Sequence, residues 1–277
     1  MRAGALRLAR ALAAVALLAG APGAAAAGCA GVSEERVRVL AVTERGDIGL
    51  AGGREARLAG LDIPDPGRGD PANAAQARAW LTSHLVGREI GLRELAARPD
   101  RWGRVLADIF TDDARLSSPN SLSLGLLAAG LARVRPEVET RDCLTERLAA
   151  ERGARADGLG LWTDPYYGVV EATDLDELRQ RDGQFAIVEG VVLRVGQGRN
   201  RFYLDFGRRG SFTIVVATRQ AQAFERAGVA IAALAGVKIR ARGAMDDRFG
   251  LRMAISGPDE IERISEAIGK SEASPSK

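Results

Sequence analysis

Two successive small β-barrels carrying helices, an α+β architecture, are what this 277-residue sequence predicts. Three observations point there. Short apolar segments alternate with glycine-rich turns in two blocks, one before and one after Thr163. In each block a helical segment falls ahead of the fourth strand. The length suits two ordinary domains.

Arg2, Arg7 and Arg10 precede an apolar run from Ala11 to Leu18, and Ala24-Ala25-Ala26-Ala27 offers small-residue cleavage sites. This predicts a secretory signal peptide over residues 1–28, with no transmembrane helix in the mature chain. The protein is therefore expected to be exported, either periplasmic or secreted. The formal net charge is +3, and the three arginines before Cys29 account for it. Charge is unevenly distributed in the rest. Residues 29–182 carry 21 basic and 26 acidic side chains, whereas residues 183–265 carry 13 and 8. Such asymmetry suggests divided labour toward an anion.

Val37–Val42, Asp47–Leu50 and Glu55–Leu61 read as strands, with Gly46 and Gly52-Gly53 marking the turns. Pro64 cannot extend a ladder, so the third strand ends near Asp62. Asp70-Pro71 opens a helix, with Asp as N-cap and Pro at its first position. Ala74, Ala77, Trp80, Leu81 and Leu85 give it an apolar face. Glu89–Leu92 and Val105–Phe110 are further strands, and Ser118–Gly130 and Glu139–Asp157 read as helices. This element order is that of an OB-type barrel.

The first block carries chemistry-bearing residues in a telling order: Arg45-Gly46-Asp47, then Arg57-Leu58-Ala59-Gly60-Leu61-Asp62-Ile63-Pro64-Asp65, then Asp100-Arg101-Trp102-Gly103-Arg104, closing on Gly160-Leu161-Trp162. Carboxylates fixed at a strand end suit a hard cation, and arginines fork onto phosphate. The ordered set resembles the staphylococcal nuclease (thermonuclease) family from about Val37 to Trp162. The resemblance implies an OB-fold nuclease domain hydrolysing DNA or RNA phosphodiesters with Ca2+. It implies metal ligands at Asp47, Asp62 and the Ile63 carbonyl, and phosphate-clamping arginines at Arg57 and Arg104. It places Asp65 where the family's glutamate orients or deprotonates the attacking water, and Arg101 and Trp102 beside the nucleic acid.

The chain departs from the family pattern at several of these positions. Asp65 is one methylene shorter than glutamate, and a misplacement of about 1 Å costs on the order of a hundredfold. Arg45 stands for an aspartate, Ile48 and Ile63 for threonines. After Val134 the chain reads Arg135-Pro136-Glu137, where the family often has tyrosines that pack on the nucleotide. Two functions therefore stand side by side: a calcium-dependent nuclease, with full or reduced activity, or a decayed envelope protein that binds nucleic acid or protein.

Cys29 and Cys143 also have two readings. An oxidising compartment favours a disulfide between them. Ala26-Ala27-Gly28-Cys29 instead resembles a lipobox, in which Cys29 would carry a lipid anchor. His84 is the chain's one histidine, so histidine triads and zinc sites are excluded by count.

Thr163–Asp182 reads as a linker. Residues 183–265 form the second OB-like barrel, with strands over 184–195, 201–206, 211–216, 236–243 and 250–255 and a helix over Arg219–Ala227. Lys238, Arg240 and Arg242 alternate along one strand and so share a face. That face is predicted to track the phosphates of single-stranded nucleic acid, with Phe202, Tyr203 or Phe206 stacking on bases. Residues 266–277 are polar, lack periodicity and read as a disordered tail.

Overall fold

The computed structural model describes Cys29 and residues 35–112, 121–208 and 211–264; the predicted signal peptide, the C-terminal tail and Ser118–Asn120 lie outside the described residues. The first unit contains β1 (Glu35–Val42), β2 (Ile48–Leu50), β3 (Glu55–Leu58), β4 (Leu61–Asp62), α1 (Pro71–Leu85), β5 (Glu89–Glu94), β6 (Arg104–Phe110), α2 (Leu122–Ala128), β7 (Arg133–Val134) and α3 (Leu144–Ala156). Five strands close a barrel in the order β1-β2-β3-β6-β5, with β3 and β6 parallel. Val39, Ile48, Leu58, Ile90, Leu92 and Ile109 fill it. The Asp70 cap is present, accepting from the Ala72 N–H at 2.9 Å, and α1 buries Ala74, Ala77, Leu81 and Leu85. Trp80 packs against the same core, partly buried, and stacks on His84, with ring centroids 3.9 Å apart.

The predicted strand Glu55–Leu61 is broken. Gly60 adopts φ +70°, and a Cβ there would collide with the Arg147 guanidinium. Only glycine tolerates both conditions, so Arg147 reaches the Ala59 carbonyl through the gap at 3.0 Å. The predicted helix Glu139–Asp157 likewise starts as a 3-10 turn over Val138–Cys143. Cys143 at its end is joined to Cys29 in a disulfide with a Cα–Cα distance of 4.8 Å.

The second unit contains β8 (Val169–Glu171), α4 (Leu175–Gln180), β9 (Phe185–Val191), β10 (Arg194–Gln197), β11 (Arg201–Asp205), β12 (Thr213–Ala217), α5 (Ala221–Arg226), β13 (Lys238–Asp246), β14 (Arg252–Ile255) and β15 (Ile261–Arg263). The main ladder runs β10-β11-β12-β14-β13-β9-β8. β9 and β10 are joined only by Val192 and Leu193 and behave as two halves of one bent strand: one pairs with β13, the other with β11. Taking them together, the pairing order is that of the first barrel, including one parallel contact, here β12 with β14. The two units thus repeat one topology, with helical turns ahead of the fourth strand in each.

Residues 163–182 are not an open linker. β8 pairs in parallel with β9, and Val170, Ala172 and Leu178 belong to the second core. Prolines and glycines mark a change of direction, but burial of the following residues depends on a strand far along the chain.

Charged side chains join the units. Arg242 is 1% exposed; it donates to Glu151 of α3 at 2.7 and 2.9 Å, and to Glu262 at 2.7 Å. Burial works against its charge, but these two carboxylates hold its pKa above the ordinary value. Arg141 pairs with Asp259 at 2.6 Å at the same junction.

Candidate active site

The strand pair β3/β6 builds the site. Ala56 and Leu58 face the core opposite Val105 and Ala107, so Arg57 and Arg104 fall on the outer face. Their register sets them two positions apart on neighbouring strands, because Glu55 lies opposite Arg104 and Arg57 opposite Leu106.

The turn between β1 and β2 presents Asp47 to Arg104. Thr43 fixes this turn: its hydroxyl accepts from the Asp47 N–H at 3.0 Å. Arg104 Nη1 donates to both Asp47 oxygens at 2.9 Å, while its Nε and Nη2 reach Asp100 Oδ2 at 3.0 and 2.8 Å. Burial opposes charge on Asp100, but the Arg104 hydrogen bonds outweigh it and hold this carboxyl below the ordinary range. Arg104 is correspondingly pushed up, again against burial.

Arg57 is held differently. Its Nη2 donates to Glu137 Oε1 at 2.9 Å, and Glu137 Oε2 accepts from the Gly60 N–H at 2.9 Å. Glu137 thus neutralises Arg57 from the loop where the family often carries tyrosines. The sequence marks the missing tyrosines, but nothing local in it identifies the carboxylate as a partner.

Asp62 ends β4 and pairs with Arg133 of β7, at 3.0 Å from Nε and 2.7 Å from Nη2. Both bonds fall on Oδ2; Oδ1 accepts none among the described residues. Ile63 points its side chain beneath the hairpin, where a Cβ on Gly46 would meet it at 3.2 Å. Replacing a threonine hydroxyl, it packs as an apolar plug that ties the Asp62 loop to the Asp47 turn. Asp65 accepts from the Gly67 N–H at 2.9 Å and lines two adjoining clefts. One holds Thr43, Glu44, Arg45, Asp47 and Glu55; the other holds Asp62, Ile63, Arg68 and Arg133. Glu44 and Glu55 are carboxylates that no sequence pattern places here.

The donor set fits a hard cation in kind: carboxylate oxygens at a cleft edge, with one Asp62 oxygen open. Arg104 and Arg133 must give ground for an ion to sit there. Among the described residues the one close triad of ligand-type side chains is Cys29, Cys143 and Glu146, away from this cleft, and its two cysteines are already bonded to each other.

Trp102, 64% exposed, carries Arg101 over its ring at 4.0 Å and Arg104 at 5.0 Å, forming a cationic-aromatic edge beside the arginines. The predicted phosphate-tracking face on β13 is a correction. Lys238, Arg240 and Arg242 do share a side, but Lys238 and Arg240 pair with Glu189 at 3.0 and 2.5 Å, and Arg242 is sealed between the units. Alternation gives their common side correctly; the carboxylates that meet it, Glu189 of β9 and Glu151 of α3, are a tertiary fact.

The profile of the family described as staphylococcal nuclease homologue matches residues 55–164. The chain is 37% identical over 114 residues to a probable endonuclease LCL3 of Uncinocarpus reesii, a match covering 38% of this chain and 37% of the relative. It is 36% identical over 114 residues to the protein of that name in Coccidioides posadasii, covering 38% and 36%. To a probable endonuclease lcl3 of Neosartorya fischeri it is 32% identical over 119 residues, covering 39% and 40%. The chain thus spans about two-fifths of the length of these relatives. No helix among the described residues is long and apolar enough to cross a membrane. The closed barrel, the paired arginines on its parallel strands and the matched segment together identify residues 55–164 as a staphylococcal nuclease homologue domain.

Proposed function

We propose that this chain is an exported phosphodiesterase that hydrolyses DNA or RNA with Ca2+. The observation that carries the proposal is the placement of Arg57 and Arg104 on one outer face of β3 and β6, two positions apart in register, with Arg104 bonded to Asp47 of the cleft that Asp65 also lines. Two guanidinium groups on one face suit a phosphodiester, whose charge grows as water attacks. Arg57 and Arg104 bind and neutralise the phosphate. Asp65 accepts a proton from the attacking water and aligns it. Asp47, Asp62 and the Ile63 carbonyl would hold calcium, which when bound offsets phosphate charge. Arg101 and Trp102 take the neighbouring nucleotide by charge and stacking. Single-stranded substrate suits this open edge, since unpaired bases expose their faces. Export is supported by the N-terminal sequence and by the Cys29–Cys143 disulfide.

A second reading, binding without cleavage, is favoured by one observation: Arg57 and Arg104 already carry carboxylate partners in Glu137 and Asp47. The deciding experiment incubates purified mature protein with labelled single-stranded DNA, in calcium and in chelator. Calcium-dependent products establish the nuclease; binding without products establishes the alternative.

A further inference from the structure

The outer face of β11, β12 and β14 in the second unit has a composition that the nuclease site does not use. Cross-strand register places Tyr203 beside Val215, and Val215 beside Ala254, in one row. The next row toward one end holds Arg201 opposite Ala217, with Arg219 just beyond β12. The row toward the other end holds Arg252 beside Thr213. A flat floor of small apolar residues with one half-exposed tyrosine is therefore bordered on both sides by arginines. Arg201, Arg219 and Arg252, with Val215, Ala217 and Ala254 as its floor, line a single groove of about 250 Å³, and Tyr203 flanks that groove across from Val215.

The charges on this face differ in how they are satisfied. Arg201 and Arg219 have no ion-pair or hydrogen-bond partner among the described residues. The groove's carboxylate, Asp246, is already gripped by Arg248 at 3.0 Å and Arg252 at 2.7 Å. Hydrogen bonds from Arg248 and then Arg252 hold it ionised well below the ordinary carboxylate range. Asp205, in the Arg252 row, is likewise engaged by Arg194 and the Thr213 hydroxyl. The groove itself thus holds three arginines, Arg201, Arg219 and Arg252, against one carboxylate, Asp246, which Arg248 also engages from outside the lining. Phe249, 80% exposed, lies under the Arg252 guanidinium at 5.1 Å and extends the aromatic surface.

We propose that this face binds a single strand of nucleic acid, with phosphates on Arg201 and Arg219 and a base on Tyr203. The proposal rests on the nuclease reading for its choice of partner. Stacking on a tyrosine tolerates every base, and arginines track the backbone without reading sequence, so binding here is strong in charge and weak in sequence preference. An acidic polypeptide would use the arginines but leave Tyr203 without a role.

The test uses the full chain in chelator, titrated with a fluorescent poly-dT oligonucleotide at low salt. Joint Arg201→Glu and Arg219→Glu exchange is expected to weaken binding by on the order of a hundredfold and to flatten the salt slope by about two. Tyr203→Ala is expected to weaken it about tenfold, with Tyr203→Phe unchanged. Should the charge-reversed chain not fold, Arg201→Gln and Arg219→Gln answer the same question. Affinity within about twofold of wild type in folded Arg201 and Arg219 variants overturns the proposal, as does displacement of the oligonucleotide by polyglutamate as effectively as by poly-dT. Hydrolysis of a dinucleotide, too short to span both units, is measured alongside. A chain that binds the oligonucleotide through these residues yet never cleaves the dinucleotide defeats the nuclease reading alone. Unaltered oligonucleotide binding with retained cleavage defeats this proposal alone.

Discussion

Arg133 donates twice to a single oxygen of Asp62, at 2.7 and 3.0 Å, while its own guanidinium is gripped by the second unit. It donates to the Phe185 carbonyl at 3.1 Å and the Tyr167 carbonyl at 3.2 Å, and lies over both rings at 5.2 and 5.1 Å. A residue of the first unit is thereby fixed by the second and brings positive charge to a candidate calcium ligand. Arg133→Met is expected to strengthen calcium binding by at least about tenfold, ~1.4 kcal/mol, because a like charge leaves the site. Calorimetric titration with calcium checks this. Unchanged affinity would mean that Asp62 does not face the ion.

Glu137 is expected to restrain Arg57. Glu137→Gln keeps an acceptor for the Gly60 N–H and removes the charge that Arg57 now satisfies. Substrate affinity should rise, read as a lower KM for single-stranded DNA, whereas Arg57→Ala should cut kcat by on the order of a hundredfold or more. A Glu137→Gln enzyme with wild-type KM would argue that Arg57 leaves Glu137 without cost.

The Arg242–Glu151 pair is fully buried, and removing Arg242 leaves the Glu151 carboxylate buried with the Val134 N–H at 2.6 Å and Arg155 at 3.8 Å. Arg242→Met is expected to cost about 3–5 kcal/mol, and joint Arg242→Met with Glu151→Leu to recover most of that loss. Urea unfolding of these two variants and of Glu151→Leu alone measures the coupling. Additive losses would show that the pair does not act as a unit.

Acid should loosen the Arg104 anchor. Asp100 is held below its ordinary value of 3.8, so its contribution is fully present above that pH and is lost as pH falls through the depressed folded value. Thermal melting between neutral and strongly acid pH should therefore show a loss of stability below about pH 4 that is smaller in Asp100→Asn. Identical acid limbs in the two proteins would remove Asp100 from the account.

Much of the first barrel is legible in the sequence because its signals are local. The Asp70 cap, the Pro71 start and the alternation through Val37–Val42 depend on near neighbours. Arg57 and Arg104 can be placed from order along the chain because parallel β3 and β6 bring them to one face. What is not legible depends on contacts distant in sequence. The break at Gly60 follows from Arg147, which needs that space to reach a carbonyl 88 positions before it. The roles of Glu137 and Arg133 follow from partners 80 and 71 positions away. On β13, period two gives the shared side of Lys238, Arg240 and Arg242 but not the carboxylates of Glu189 and Glu151 that meet it. The exposed basic face lies instead on β11, β12 and β14, where Arg201 on β11, Arg219 in the turn after β12 and Arg252 on β14 are too far apart in sequence to form a run.

Calcium-dependent phosphodiester cleavage at the arginine pair makes one demand that a single assay can meet or refuse. It is tested most directly by the rate of cleavage of labelled single-stranded DNA by the mature protein, its Arg57→Ala and Arg104→Ala variants and an Asp65→Glu variant, each in calcium and in chelator. Products are expected in calcium only, with their loss in both arginine variants while the fold stays intact, and faster cleavage by the Asp65→Glu variant, whose side chain is one methylene longer. Cleavage that persists in chelator or without the arginines would contradict this expectation.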